Sequence, residues 1–161
     1  MHLELLALGA ATATDVDGSP AYVAAAREEA ERRGVVDRVR YEVGDFVALA
    51  PETEPADLVI LDRVVCCYPD MESLVRLSVA HARRRYGLAY PRDSLWIRAG
   101  TRVMNAFARL IRQKVRAHIH RTAAVDAIVQ AGGFAPRFNR SNLFWQVVVY
   151  ERIAVSSAGS P

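Results

Sequence analysis

The sequence predicts an α/β fold: a mostly parallel sheet with helices on both faces and an antiparallel hairpin at the C-terminal end. Three observations predict it. Strand-like and helix-like stretches alternate through most of the 161 residues. Leu58 to Leu61 is an unbroken apolar run, as expected of a strand covered on both faces. The last two strand-like stretches lie too close together for a helical crossover, so they must turn back on each other.

Taken in order, Leu3, Leu5, Leu6 and Leu8 mark a short helix that Gly9 stops. Ala11 to Asp17 reads as a strand ending in acid. Ser19 and Pro20 open a helix, the serine as side-chain acceptor and the proline at the first helical position. It runs to about Arg33, with Tyr22, Val23, Ala26 and Ala30 on its buried side, and Gly34 ends it. Arg38 to Val43 is a short strand stopped by Gly44 and Asp45, and Pro51 to Pro55 is a polar loop. Pro69 and Asp70 open a helix that ends in the basic run before Gly87. Tyr86 to Tyr90 is a strand. Pro91, Arg92 and Asp93 lead into a long helix from Ser94 to Val115. Thr122 to Gln130 is helical up to Gly132 and Gly133. Phe134 to Asn139 and Trp145 to Arg152 form the closing pair around a turn at Arg140 to Asn142. A single domain over 1–153 with a flexible tail over 154–161 is expected.

Composition narrows the function. With 52% hydrophobic and 24% charged residues the chain has enough apolar material for a core and is not of a disordered type. No apolar run is long enough to span a bilayer, so no membrane partner is expected. Met1 to Leu6 lacks the basic start of a secretion signal. Cys66 and Cys67 are the two cysteines. As neighbours they are poorly placed to bridge, which points to a reducing, cytoplasmic setting and to packing roles rather than redox or zinc chemistry. The net charge is +3, but Arg83, Arg84, Arg85, Arg98, Arg102, Arg109, Arg112, Lys114, Arg116 and Arg121 crowd the second half. Solvated helix faces are preferred over nucleic acid as the explanation, and salt-sensitive binding mapped to Arg109 to Arg121 would reverse that preference.

Chemistry is expected at the C-terminal ends of the strands, where open α/β sheets bind ligands. Asp17, followed by Gly18, is placed to accept from ribose hydroxyls, with a plain helix-entry acid as the competing account. In Gly44-Asp45-Phe46 the aspartate suits an exocyclic amine and the phenylalanine an aromatic base, though a tight turn with a core phenylalanine explains the same residues. Asp62 and Arg63 form a charged pair directly after a buried strand, which costs desolvation unless a partner or ligand meets it.

In order and spacing, these segments resemble the class I S-adenosylmethionine-dependent methyltransferase family. Val16-Asp17-Gly18-Ser19-Pro20 resembles its ribose-binding strand end, Gly44-Asp45-Phe46 its adenine contact, Asp57 to Asp62 its fourth strand, and Phe134 with Trp145 to Glu151 its terminal hairpin. Leu61 to Asp70 and Tyr86 to Asp93 are also similar to the magnesium-protoporphyrin-methyltransferase-like branch. The resemblance covers about Leu3 to Arg152. It implies a Rossmann-like fold, S-adenosylmethionine as cofactor and methyl transfer to a small-molecule acceptor at O, N or C. Asp17, Gly18, Asp45 and Phe46 would contact the cofactor, and Asp62 and Arg63 would lie near its methionine end or the acceptor. The family's first strand and glycine-rich loop have no counterpart, so an N-terminally truncated or misplaced start is expected, with in-frame upstream codons as the test.

His118, His120 and Tyr68 are the catalytic candidates, weighed against surface histidines in a basic connection and a core tyrosine. Tyr90 is weighed in the same way as a wall of the acceptor pocket. No metal is expected, since the two histidines have no nearby third ligand. The helix from Ser94, with Leu95, Trp96, Val103, Phe107, Leu110 and Ile111, suits a lid over the acceptor; a homodimer contact or core packing competes. The rival functions are a degenerate domain acting through a partner and a basic nucleic-acid-binding module. A nicotinamide dehydrogenase lacks support, because no Tyr-x-x-x-Lys pair is present.

Overall fold

The computed structural model describes residues 1–112 and 117–154. The end of the expected long helix, together with Lys114 and Arg116 of the basic run, lies outside the described residues, as does the expected tail beyond Ala154. The chain forms two compact units, Met1–Thr53 and Glu54–Pro161.

In the first unit, helix α1 (His2–Ala7) leads to strand β1 (Ala13–Asp17), helix α2 (Pro20–Arg32), strand β2 (Val39–Val43) and the short helix α3 (Phe46–Leu49). β1 and β2 pair in parallel, with Ala13 opposite Val39 and Asp17 opposite Val43. Both stop signals read from the sequence operate. After α2, Gly34 adopts a φ of 65°; its N–H donates to the Glu31 carbonyl and that of Val35 to the Ala30 carbonyl. This left-handed closure satisfies carbonyls the helix end would otherwise orphan, at a conformation glycine adopts without a Cβ penalty. Gly9 closes α1 in the same way. Leu3, Leu6 and Ala30 make the core, with Ala13, Val35, Val36, Val39 and Tyr41 packed against them. Tyr22 departs from expectation: it is 72% exposed. Val23 and Ala30 are the buried positions of α2, seven residues apart and so on one stripe, and Tyr22 falls off that stripe.

The second unit holds β3 (Ala56–Asp62), α4 (Met71–Ala80), β4 (Ala82–Pro91), α5 (Leu95–Leu110), α6 (Thr122–Ala131), β5 (Phe134–Ser141) and β6 (Trp145–Arg152). Its sheet has the order β3-β4-β6-β5. β3 and β4 are parallel, while β6 runs antiparallel to both β4 and β5. The Rossmann-like mixed sheet with a closing antiparallel pair is therefore as the sequence implied. Tyr86, Tyr90, Tyr150 and Phe134 are the largest fully buried side chains.

The helix expected to end in the basic run stops earlier, at Ala80, and Arg83 to Arg85 belong to β4. Arg85 pairs with Glu151 across the sheet, and Arg152 donates to the Arg83 carbonyl. The pairing partners that make this basic run a strand are remote in the chain, Leu58 of β3 on one side and Glu151 of β6 on the other.

Candidate functional site

In the first unit the strand tips are set by local capping. The Asp17 carboxylate accepts from the Ser19 N–H at 2.7 Å, turning the chain from β1 into α2, and Ser19 Oγ accepts from the Tyr22 N–H at 3.4 Å. The Gly44 N–H donates to the Asp17 carbonyl at 3.0 Å, so the turn after β2 is anchored on the last residue of β1. Asp45 caps α3 by accepting from the Val47 N–H at 2.9 Å. A Cβ at Gly44 would come within 2.9 Å of Leu49 Cδ1, the movable end of a flexible side chain, so packing alone does not demand the glycine. Asp17 and Phe46 are half-buried, and Asp45 is exposed. Thus Asp17, Gly18, Asp45 and Phe46 stand at the ends of two adjacent parallel strands. The structure also gives both aspartates the bland role weighed for Asp17, that of acids at helix entries. Each such bond uses one of roughly four acceptor positions on a carboxylate, so it leaves capacity for a ligand.

In the second unit, Asp62 ends β3 and Arg63 turns the chain with a φ of 59°. The Arg63 N–H donates to the Ala89 carbonyl at 2.9 Å, and its guanidinium lies over the Trp145 ring at 5.2 Å. The desolvation argument made for this pair fails, because both side chains emerge from the strand end into solvent. Arg63 is held by an aromatic face instead.

After Arg63 the chain makes a short 3-10 turn, Val65–Cys67. The thiols are free, with Sγ atoms 3.7 Å apart. Cys66 is buried, and burial pushes its thiol up to about 12. Cys67 is exposed, so the packing role fits only the first of the pair.

The segment from Ala117 to His120 is tied down on two sides. Asn105 of α5 brackets the Ala117 backbone, and the His118 N–H donates to the Cys66 carbonyl at 2.6 Å. His120 Nε2 lies 3.2 Å from the Tyr68 carbonyl. The two imidazoles stack at 5.9 Å, on one face as their spacing predicts. They are half-buried rather than surface residues. Burial, more than neighbouring charge, depresses the basicity of His120. Arg98, Thr101, Arg102 and Asn105 face these histidines across an open cavity of about 270 Å³. Tyr68 is half-buried beside this segment, whereas Tyr90 is 1% exposed and belongs to the core. Burial raises the Tyr90 phenol to about 12. Among the described residues no three His, Cys, Asp or Glu side chains gather as a metal site would require.

A family profile described as a methyltransferase domain matches residues 1–85, and the chain belongs to that family. No curated protein matches it. Among solved structures it is similar to magnesium protoporphyrin IX methyltransferase from Synechocystis PCC 6803 with bound SAH, at 21% identity and a TM-score of 0.70, over 92% of this chain and 68% of that one. An O-methyltransferase family 2 protein from Planctomyces limnophilus in complex with apigenin aligns at 16% identity and a TM-score of 0.64, over 88% of this chain and 43% of that one. Mitomycin 7-O-methyltransferase aligns at 19% identity and a TM-score of 0.63, over 90% of this chain and 50% of that one. The chain therefore spans between 43% and 68% of the length of these relatives, and the likeness is one of fold.

Proposed function

We propose that this domain transfers a methyl group from S-adenosylmethionine to a small-molecule acceptor, and that its first unit holds the adenosine part of the cofactor. One observation carries the reading: the parallel register of β1 and β2 puts Asp17 at one strand end and Asp45-Phe46 directly after the next. Relatives solved with SAH or with apigenin support both the cofactor and the size of the acceptor.

The donor set suits the group. Asp17 would accept from the ribose hydroxyls with the capacity left over from its bond to Ser19, Gly18 would let the backbone approach, Asp45 would accept from the exocyclic amine, and Phe46 would lie against the adenine ring. When bound, the cofactor supplies a methyl on a sulfonium that carries its own leaving group. The chain has then only to align the acceptor and exclude water. Asp62 is assigned to the methionine end or the acceptor, while Arg63 is a positioning residue through its hold on Trp145. Where the acceptor must lose a proton, His118 is the better candidate of the two histidines, because the imidazole of His120 is engaged by the Tyr68 carbonyl. The reading places the protein in the cytoplasm, with nucleic acid outside its partners and a homodimer not required by it.

Titration calorimetry with S-adenosylhomocysteine tests this. Asp17→Ala and Asp45→Ala should each lower affinity at least tenfold, about 1.4 kcal/mol per factor of ten. Wild-type affinity in both variants would overturn it.

A further inference from the structure

Helix α5 wears its apolar residues on the outside. At about 100° per residue, Leu95, Trp96, Val103, Met104, Phe107 and Leu110 share one broad arc. Arg98, Thr101, Arg102, Asn105 and Arg109 fill the rest, with no residue of either kind in the other's sector. Only Ile97 and Ala108, at one margin of the apolar arc, are buried. Leu95, Val103, Phe107 and Leu110 are 84%, 71%, 61% and 79% exposed. The side that meets the rest of the unit is the polar one, through Asn105 on Ala117 and the cavity shared by Arg98 and Arg102 with the histidines. The orientation is thus opposite to that of an ordinary surface helix, whose apolar stripe faces the core. The patch continues beyond α5: Trp96 meets Phe144 edge-on at 5.0 Å, and Leu143 and Phe144 of the β5–β6 turn are themselves exposed.

Charge indicates what covers it. From Ser94 to Val125 the sequence holds seven arginines and lysines and no acid. A second copy laid along the same face would bring arginine edge to arginine edge with no carboxylate on either helix. An anionic lipid surface meets both halves of the pattern. The apolar arc enters the headgroup–acyl boundary and the exposed Arg102 and Arg109 reach the phosphates, while Arg98 stays paired with Asp93 and the rest of the unit stays on the wet side. Aromatic rings such as Trp96 and Phe144 sit well at that boundary. Sixteen residues at 1.5 Å each give a footprint about 24 Å long.

We infer that α5, with the Leu143–Phe144 turn, seats this protein on the surface of an anionic phospholipid bilayer. This goes beyond the sequence's prediction of no membrane partner, which rested on the lack of a spanning run. No helix among the described residues is long and apolar enough to cross a membrane; α5 would lie on one. The inference stands apart from the methyl-transfer reading.

Co-sedimentation of the full chain with vesicles tests it. Binding is expected to vesicles of equal phosphatidylcholine and phosphatidylglycerol and not to phosphatidylcholine alone. It should weaken with salt and be accompanied by a blue shift of tryptophan emission. Arg102→Gln and Arg109→Gln should each lower affinity for the mixed vesicles about fivefold, and V103S/F107S at least tenfold. All four side chains are exposed, so circular dichroism and Tm should stay at wild type, and Arg40→Gln in the first unit should bind as wild type. No binding to mixed vesicles at low salt would overturn the inference, as would equal binding to both lipids or full binding by V103S/F107S. Lipid-free dimerisation that shields Trp96 from acrylamide would overturn it in favour of a second copy.

Discussion

Asn105 and Ala117 exchange two hydrogen bonds: the Asn105 amide donates to the Ala117 carbonyl at 2.7 Å, and the Ala117 N–H donates to Asn105 Oδ1 at 3.1 Å. A side-chain amide here does what a neighbouring strand would do, holding the His118–His120 segment in place. Asn105→Ala removes both bonds from a half-buried backbone and should cost about 1–2 kcal/mol. The local sign is faster amide exchange at 117–120, with β4 protection unchanged. Asn105→Asp keeps only the acceptor and should fall between the two.

Ser78 and Tyr86 form a buried polar pair, with oxygens 2.7 Å apart. Ser78 Oγ also lies 2.7 Å from the Leu74 carbonyl. Its single proton belongs to that carbonyl, so the Tyr86 hydroxyl must be the donor between the two side chains. Ser78→Ala would strand that hydroxyl in the core and should destabilise by about 1–3 kcal/mol, whereas S78A/Y86F should recover much of the loss. Urea melts of the two single variants and the double variant measure it. Strict additivity would show that the two hydroxyls do not interact.

His120 is half-buried and its pKa is lowered, chiefly by desolvation. The unfolded chain then binds the proton more readily than the folded one, so stability is full above the ordinary value of 6.5 and falls as pH drops through it. His2 is lowered in the same direction by burial, against the opposing pull of Asp15, so it adds to the slope. His120→Gln should flatten the stability–pH curve between pH 7 and pH 5 without abolishing its slope, as read by chemical denaturation at each pH. A slope identical to wild type would show that His120 titrates like a free imidazole.

Cys66 is buried with a thiol raised to about 12, and Cys67 is exposed. Alkylation follows the thiolate and its access. Iodoacetamide at pH 8 should therefore label Cys67 in the native protein and Cys66 only after denaturation, as peptide mass mapping would show. Equal native labelling would mean that the Val65–Cys67 turn opens readily.

What could be read from the sequence was mostly local. The Ser19-Pro20 cap, the Gly9 and Gly34 stops and the closing hairpin depend on residues a few positions apart, and each forms, although β5 runs on through Arg140 and Ser141 and the hairpin turns at 142–144 rather than at Arg140 to Asn142. Arg83 to Arg85 were misread because the residues that make them a strand, such as Glu151 and Arg152, are remote. α3 is not legible because four residues carry no periodicity; the Asp45 cap is its only signal, and Gly44-Asp45-Phe46 reads equally as a ligand contact or as a tight turn. The argument for Asp62 and Arg63 assumed burial, which only the emergence of β3 into solvent could decide. α5 was recognised as apolar, but a list of apolar positions does not say which way they face.

Asp17 offers the sharpest separation of fold from function. One carboxylate oxygen accepts from the Ser19 N–H, and asparagine retains an oxygen for that bond. Asp17→Asn should therefore keep the turn into α2, with Tm close to wild type. It replaces the other oxygen with a donor, which cannot accept from a ribose hydroxyl, and it removes the charge that makes such a bond strong. Affinity for S-adenosylhomocysteine should fall at least tenfold while urea stability holds, and adenine alone, which has no ribose, should bind both proteins equally. If Asp17→Asn instead lowers stability and leaves nucleoside affinity intact, Asp17 is a helix-entry acid and nothing more.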